Sequence, residues 1–517
     1  MADGIFIGGG GNEYGEAQEL LLEYANRHGL IAGATGTGKT VTLQILAEGF
    51  SKAGVPVFLS DVKGDLSGLA KSGSVDFKLH DPFMKRANTI GLDLQYDAFP
   101  VTFWDLLGEQ GHPIRTTVAE MGPLLLSTLM GLSEAQEGVL NVAFRVSDEE
   151  GLPLLDLEDL QALLVWVGQN AKELSLRYGN VAASSVGAIQ RQLLVLENQG
   201  GAGLFGEPAL DLRDIMAIEG DGPHAGLGRI NILASDKLMS SPKLYATFLL
   251  WLLSELFEEL PEVGNPDKPK LVFFFDEAHL LFDDAPKALV DKVEQVARLI
   301  RSKGVGVYFI TQNPADVPED VLGQLGNRVQ HALRAFTAND QKELKQAADT
   351  YRPNPAFDTA EAIREVGTGE AVTSMLVDKG VPGIVERTLI RPPSSQLGPI
   401  TKAERAAMMA ASPMAGKYDA RLDRDSAAEM LAQRAGAAAE EAEKAEAEEE
   451  KLETEAREHA KGRRYSGKDV ERSTSRRRSK SDDGWGGAIA TVVAKELKGT
   501  TGRRIVRGIF GTLFKGR

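Results

Sequence analysis

Short apolar runs that stop abruptly at glycine or acidic residues punctuate the first 400 positions. His28-Gly29-Leu30-Ile31-Ala32 reads as a buried strand, and Val41 to Phe50 after it reads as a helix with Val41, Leu43, Ile45, Leu46 and Phe50 as its apolar positions. Val55 to Ser60 is a second strand, ending at Asp61 and Lys63. Gly228 to Leu233 resumes the pattern, and Pro242 to Leu260 is a strongly apolar helix. Leu271-Val272-Phe273-Phe274-Phe275 is continuously apolar, as a strand buried on both faces must be. A helix over Ala285 to Lys303 leads to the strand Gly306 to Ile310. Leu322 to Leu333, Glu370 to Leu376 and Gly383 to Ile390 supply further strands, and Arg391-Pro392-Pro393 closes the ordered core. Strands alternating with helices predict an α/β fold with a mostly parallel sheet.

The turn between the first strand and helix carries the chemistry. Gly33-Ala34-Thr35-Gly36-Thr37-Gly38-Lys39-Thr40 fits G-x-x-x-x-G-K-[ST] in full, in the strand–loop–helix context the motif requires. Backbone N–H groups from Gly33 through Val41 can close around phosphate oxygens, and the helix N-terminus adds a favourable dipole. Lys39 reaches the β- and γ-phosphates of ATP, and the Thr40 hydroxyl can hold Mg²⁺. The run ending in Asp276-Glu277 delivers two carboxylates to a strand's C-terminal end, where ligands sit in open α/β sheets. Asp276 suits the Mg²⁺ shell, and Glu277 a general base on the attacking water. The neighbouring His279 reads as packed or solvated. Gln312 ends the third strand and is a candidate γ-phosphate sensor; the alternative is a simple turn at Asn313-Pro314.

Arg298 and Arg301 stand three residues apart near the end of the helix that follows the carboxylates. Ring ATPases insert such an arginine into a neighbour's site, and Arg301 is the candidate. The alternative is a surface arginine favoured at a helix C-terminus. Arg328 and Arg334 are weaker candidates.

Lys39 and Asp276 lie much farther apart than the roughly 100 residues a minimal core of βα units needs. The spacing therefore predicts a core in two parts, residues 1–104 and 226–400, around a helical insertion over 105–225. Helical patterns there cover Thr116 to Met130, Glu158 to Tyr178 and Ala182 to Gln199. Within it His112-Pro113-Ile114-Arg115-Thr116-Thr117 reads as a turn before an N-capped helix, or as a site placing Arg115 on a subunit interface or a bound polymer. Residues 401–483 form an acidic, Ala/Glu/Lys-rich segment and then a basic Ser-rich linker. Residues 484–517 hold a basic amphipathic helix, with Ile505, Val506, Ile509, Phe510, Leu513 and Phe514 on one face; it can dock on the ATPase core, lie on DNA or make weak membrane contact.

Composition narrows the partners. The 517 residues contain no cysteine, which excludes disulfides and thiolate metal sites, and the seven histidines show no ligand spacing. A net charge of −16 disfavours a generally adhesive nucleic-acid surface while permitting a local basic channel. No signal peptide is visible at the N-terminus, and the longest apolar stretch, Leu244 to Phe257, is too short to span a bilayer, so a cytoplasmic location is expected.

The segments Ala25 to Gln44, Pro56 to Leu66, His112 to Arg115 and Ile300 to Gly306 resemble those of the bacterial HerA-like ATPases of the YjgR type, in the HerA/FtsK class. The resemblance covers most of residues 1–400 and the terminal module. It implies a RecA-like fold, a Mg-ATP-dependent ring, expected to be a hexamer, and DNA translocation. By motif position it makes Lys39 and Thr40 Walker A, Asp276 and Glu277 Walker B, Gln312 the sensor and Arg301 the arginine finger. Only about 25 residues precede the P-loop strand, so the barrel that docks a nuclease in HerA proteins has no counterpart, and no nuclease partner is expected. Two functions remain open: a DNA-dependent motor, and a regulatory or scaffolding ATPase, peripheral to the membrane or not, that switches assembly with nucleotide. A small-molecule kinase is a distant third, because the Asp-Glu pair favours water as acceptor.

Overall fold

The computed structural model describes residues 3–282 and 287–463. Fourteen strands follow in chain order: β1 Gly4–Gly10, β2 Glu16–Leu21, β3 Gly29–Ala32, β4 Val57–Asp61, β5 Val101–Asp105, β6 His112–Pro113, β7 Ile230–Ala234, β8 Leu271–Phe275, β9 Val305–Thr311, β10 Asn327–Gln330, β11 Glu370–Ser374, β12 Leu376–Val377, β13 Val381–Pro382 and β14 Glu386–Ile390. Twelve of them form one sheet, ordered β2-β1-β14-β11-β10-β3-β9-β8-β4-β7-β5-β6. From β10 to β6 every pairing is parallel; from β10 to β2 every pairing is antiparallel. This is the α/β fold the patterning predicts.

Alternation along the central strands explains the burial. Phe273 and Phe275 enter one core cluster and Phe274 the other, so β8 is covered on both faces. On one side lies the helix α1, Lys39–Lys52, packing Ile45, Leu46 and Phe50. On the other lie the Pro242–Glu259 helix and the helical residues between β6 and β7.

Three boundaries differ from the sequence reading. The pattern over Glu158 to Tyr178 is two helices, because the Asn170 amide donates to the Trp166 carbonyl at 2.8 Å and turns the chain. Leu322 ends a short helix, Glu319–Leu322, and the strand after it begins only at Asn327. Glycine hides β1 (Gly-Ile-Phe-Ile-Gly-Gly-Gly): at Gly8 an added Cβ would stand 2.1 Å from the Leu389 carbonyl oxygen, so close pairing with β14 selects glycine in a strand.

Order also continues beyond Arg391-Pro392-Pro393. Buried Glu48 of α1 accepts from the Arg391 guanidinium (3.1 Å), the Ser394 and Ser395 N–H groups (3.0 and 2.9 Å) and the Ser395 hydroxyl (2.7 Å). Farther on, fully buried Tyr418 packs edge-on against Trp104, and its carbonyl accepts from Arg115 at 2.8 Å. Arg115 is therefore buried beneath this segment, while Thr117 caps the Val118–Met130 helix in a capping box with Glu120, which is the structural reading of that turn. The acidic segment forms a helix, Ala427–Arg463, whose first turns pack on the Leu157–Gln169 helix. The basic linker from residue 464 and the amphipathic terminal pattern lie outside the described residues. Among the described residues no helix is long and apolar enough to cross a membrane.

Candidate functional site

Because β3, β4, β8, β9 and β10 run parallel, their C-terminal ends share one edge of the sheet. The P-loop leaves β3 there. It is fastened to both neighbours: the Gly33 N–H donates to the Thr311 carbonyl of β9 (3.3 Å), and the Ala34 N–H donates to the Ala332 carbonyl after β10 (2.8 Å). Gly33 sits at φ +150, and a Cβ there would stand 2.5 Å from the Cβ of His331, so only glycine lets the loop lie on that histidine. His331 is buried beneath the loop, with Nε2 2.8 Å from the Thr42 hydroxyl of α1. Desolvation depresses its pKa to about 4, so the imidazole is neutral. The loop's tip, Thr35 and Gly36, is exposed.

Lys39 opens α1 and is buried, its ammonium donating to the carbonyls of Gly33 (2.5 Å) and Ala34 (3.3 Å). Burial, then repulsion from Lys63, draws its pKa below the ordinary lysine value against the pull of Glu277 and Asp276. Thr40 and Val41 follow in the first turn, partly exposed.

Strand β9 lies between β3 and β8, so the P-loop and the Asp276-Glu277 pair leave strands that are not neighbours. Asp276 is fixed from behind: its N–H donates to the Ser60 hydroxyl of β4 (3.0 Å), which also accepts from Tyr245 (2.7 Å). Burial and the adjacent Glu277 push its pKa up to about 7, partly opposed by Lys63. Glu277 adopts the left-handed conformation at φ 50, which is unusual for a residue with a side chain. Its carboxylate is buried; Oε1 pairs with the Lys63 ammonium at 3.1 Å, and Oε2 accepts from the Gln312 amide at 3.4 Å, with His279 Nδ1 at 3.5 Å. Gln312 thus stands just past the end of β9, beside Glu277.

Asp276 and Thr40 offer the oxygen donors Mg²⁺ takes, a half-buried carboxylate and a helix-start hydroxyl, to be joined by phosphate oxygens from the P-loop. Among the described residues no three His, Cys, Asp or Glu side chains cluster as a protein-only metal cage, and Mg²⁺ is usually bound by one or two carboxylates together with phosphates and waters. The residues present fit the ion.

The arginines separate clearly. Arg301 lies in the Ile300–Lys303 turn before β9, at the opposite edge of the sheet. Burial, then nearby Arg27, lowers its pKa below the ordinary arginine value. Arg298 is exposed and ion-paired to Glu294 one turn away. Arg328 donates to the carbonyls of Leu325 and Leu322, both at 3.0 Å, finishing a short helix, and exposed Arg334 follows β10. Two residues beside these groups carry little local signal in the sequence. Lys63 had only its place after β4 as a signal, and Arg27 only its place before β3.

The chain is similar to the DNA double-strand break repair helicase HerA of Sulfolobus acidocaldarius, 22% identical over 369 residues, which is 68% of this chain and 63% of that one. Its likeness to the HerA of Saccharolobus solfataricus is 21% over 376 residues with the same coverage, so the chain spans 63% of the length of these relatives. Among solved structures, VirB4 of Thermoanaerobacter pseudethanolicus superposes with a TM-score of 0.47 at 15% identity, covering 75% of this chain and 96% of that one. The family model described as "Helicase HerA-like C-terminal" matches residues 10–517. With that match over almost the whole length, and a P-loop facing an Asp-Glu pair across an intervening strand, the chain belongs to the HerA-like helicase C-terminal family.

Proposed function

We propose that the chain is a Mg²⁺-dependent ATPase working as a ring, expected to be hexameric, whose hydrolysis is coupled to DNA. The observation behind this reading is the buried Glu277 carboxylate held beside Gln312 at the edge where the P-loop opens. Lys39 and the backbone N–H groups of residues 33–41 would take the phosphate oxygens, and Thr40 and Asp276 would hold Mg²⁺. Held by these two residues, Mg²⁺ would supply charge neutralisation for the transferring phosphoryl group. Glu277 would orient the attacking water and take its proton, while the Gln312 amide fixes the carboxylate. Strand β9, seven residues long, puts about 20 Å between the Arg301 edge and the Gln312 edge. Arg301 therefore cannot serve its own P-loop and suits a neighbour's, which is the reason to expect a ring. DNA as the polymer rests on the relatives named DNA double-strand break repair helicases.

Steady-state ATP turnover with and without duplex and single-stranded DNA, at low and higher salt, tests the reading. Stimulation by DNA that fades with salt is expected, because phosphate contacts release counterions. A rate indifferent to both DNAs would remove DNA from the proposal and leave the nucleotide-switched assembly.

A further inference from the structure

The hydrolysis site contains a cation that the P-loop scheme does not use. Lys63 stands just past β4, the strand next to β8, and its ammonium lies 3.1 Å from Glu277 Oε1. The other carboxylate oxygen is occupied by Gln312 and faces His279. Both oxygens of the candidate base are thus engaged by protein. A carboxylate whose two oxygens are both held by protein has one fewer oxygen free to receive a water. The two ends of this ion pair are built differently. Glu277 is buried, its side chain 9% exposed, whereas the Lys63 side chain is 40% exposed, so the lysine is the partner that water can take up when the pair opens.

The loop bearing Lys63 is also tied to the rest of the chain. The Leu66 N–H donates to Asp61 at 3.0 Å, Ser67 accepts from the Ile400 N–H at 3.1 Å, the Lys71 carbonyl accepts from the Gln396 N–H at 2.7 Å, and the Lys71 ammonium pairs with Glu404 at 2.6 Å. The same stretch, through Ser394 and Ser395, grips Glu48 of α1, the P-loop helix. One segment, residues 391–404, therefore joins the phosphate-binding helix to the lysine loop.

We propose that Lys63 is a positioning residue that restrains Glu277 by ion pairing, so that release of Lys63 is a step separate from nucleotide binding and sets the rate of hydrolysis. This inference rests on the ATPase reading above. It predicts that Lys63→Met in the full chain raises the basal kcat for ATP several-fold with KM unchanged, and that Lys63→Arg, which keeps the ion pair, returns kcat toward the wild-type value. A structural role would give a different signature, with both variants losing activity together with thermal stability. A Lys63→Met kcat at or below wild type, or a Lys63→Arg kcat as high as that of Lys63→Met, would overturn the restraint. Failure of the underlying reading is distinguishable, since it would appear as wild-type protein with no ATP turnover at all.

Discussion

At the edge where the parallel strands end, Lys39, Lys63, Asp276, Glu277 and Gln312 converge with acidic and basic groups in contact. At the edge where the same strands begin, Arg27 and Arg301 stand near each other, and among the described residues neither makes an ion pair. Arg27 lies over the Tyr24 ring at 4.9 Å, and the Arg301 backbone carbonyl accepts from the buried Asn26 amide at 3.3 Å, which fixes the turn that carries Arg301. On the ring reading proposed above, the first edge takes phosphates and water and the second offers positive charge to a neighbouring subunit. The length of β9 between them is what makes each edge half of a shared site on that reading.

The largest effect should come from breaking the arginine half. Arg301→Ala is expected to lower ATP turnover by about 10³-fold or more, the scale of an arginine finger, while nucleotide affinity is retained. Mixing it with Lys39→Ala should restore part of the activity. The Arg301→Ala subunit keeps a working P-loop and can receive Arg301 from a Lys39→Ala neighbour. Mixed samples no more active than either variant alone would mean that the two edges do not meet across an interface.

Glu277→Gln breaks the other half. The amide keeps the shape and the contact with Gln312 but cannot take a proton. Turnover should fall by roughly 10²- to 10⁴-fold, the range of general-base catalysis, with ATP still bound in an equilibrium titration. A variant hydrolysing at the wild-type rate would take Glu277 out of the base role and leave the acidic edge as a metal site alone.

The contrast between the edges was only half visible in the sequence, for a physical reason. The ligand edge is written locally. A strand buried on both faces must be continuously apolar, so Leu271 to Phe275 announces its own end at Asp276, and the P-loop needs its glycines and Lys39 at fixed spacing. Lys63 and Arg27 carry no such local mark. Lys63 matters because β4 pairs with β8, and Arg27 because β3 pairs with β9, and strand order is a long-range property. The segment after Arg391 was illegible for another reason. Its hold on α1 is polar, through Glu48, and a single glutamate in an apolar helix reads as a surface position until its partners are seen. The glycines of β1 likewise read as loop, although close strand pairing is what selects them.

The smallest expected effect gives the sharpest control on the comparison. Arg298 lies three residues before Arg301, and the sequence favours Arg301 only by its place nearer the helix end. The structure does: Arg298 points its charge at Glu294 on an exposed helix face, whereas Arg301 sits in the turn below β9 beside Arg27. An exposed i,i+4 ion pair contributes about 0.3–0.5 kcal/mol, so Arg298→Ala should barely move the thermal midpoint and should leave ATP turnover near wild type. If Arg298→Ala instead abolishes turnover as Arg301→Ala does, the arginine edge acts as a diffuse positive surface. If only Arg301→Ala does so, one guanidinium at one position carries the effect, as insertion into a neighbour's phosphate site requires.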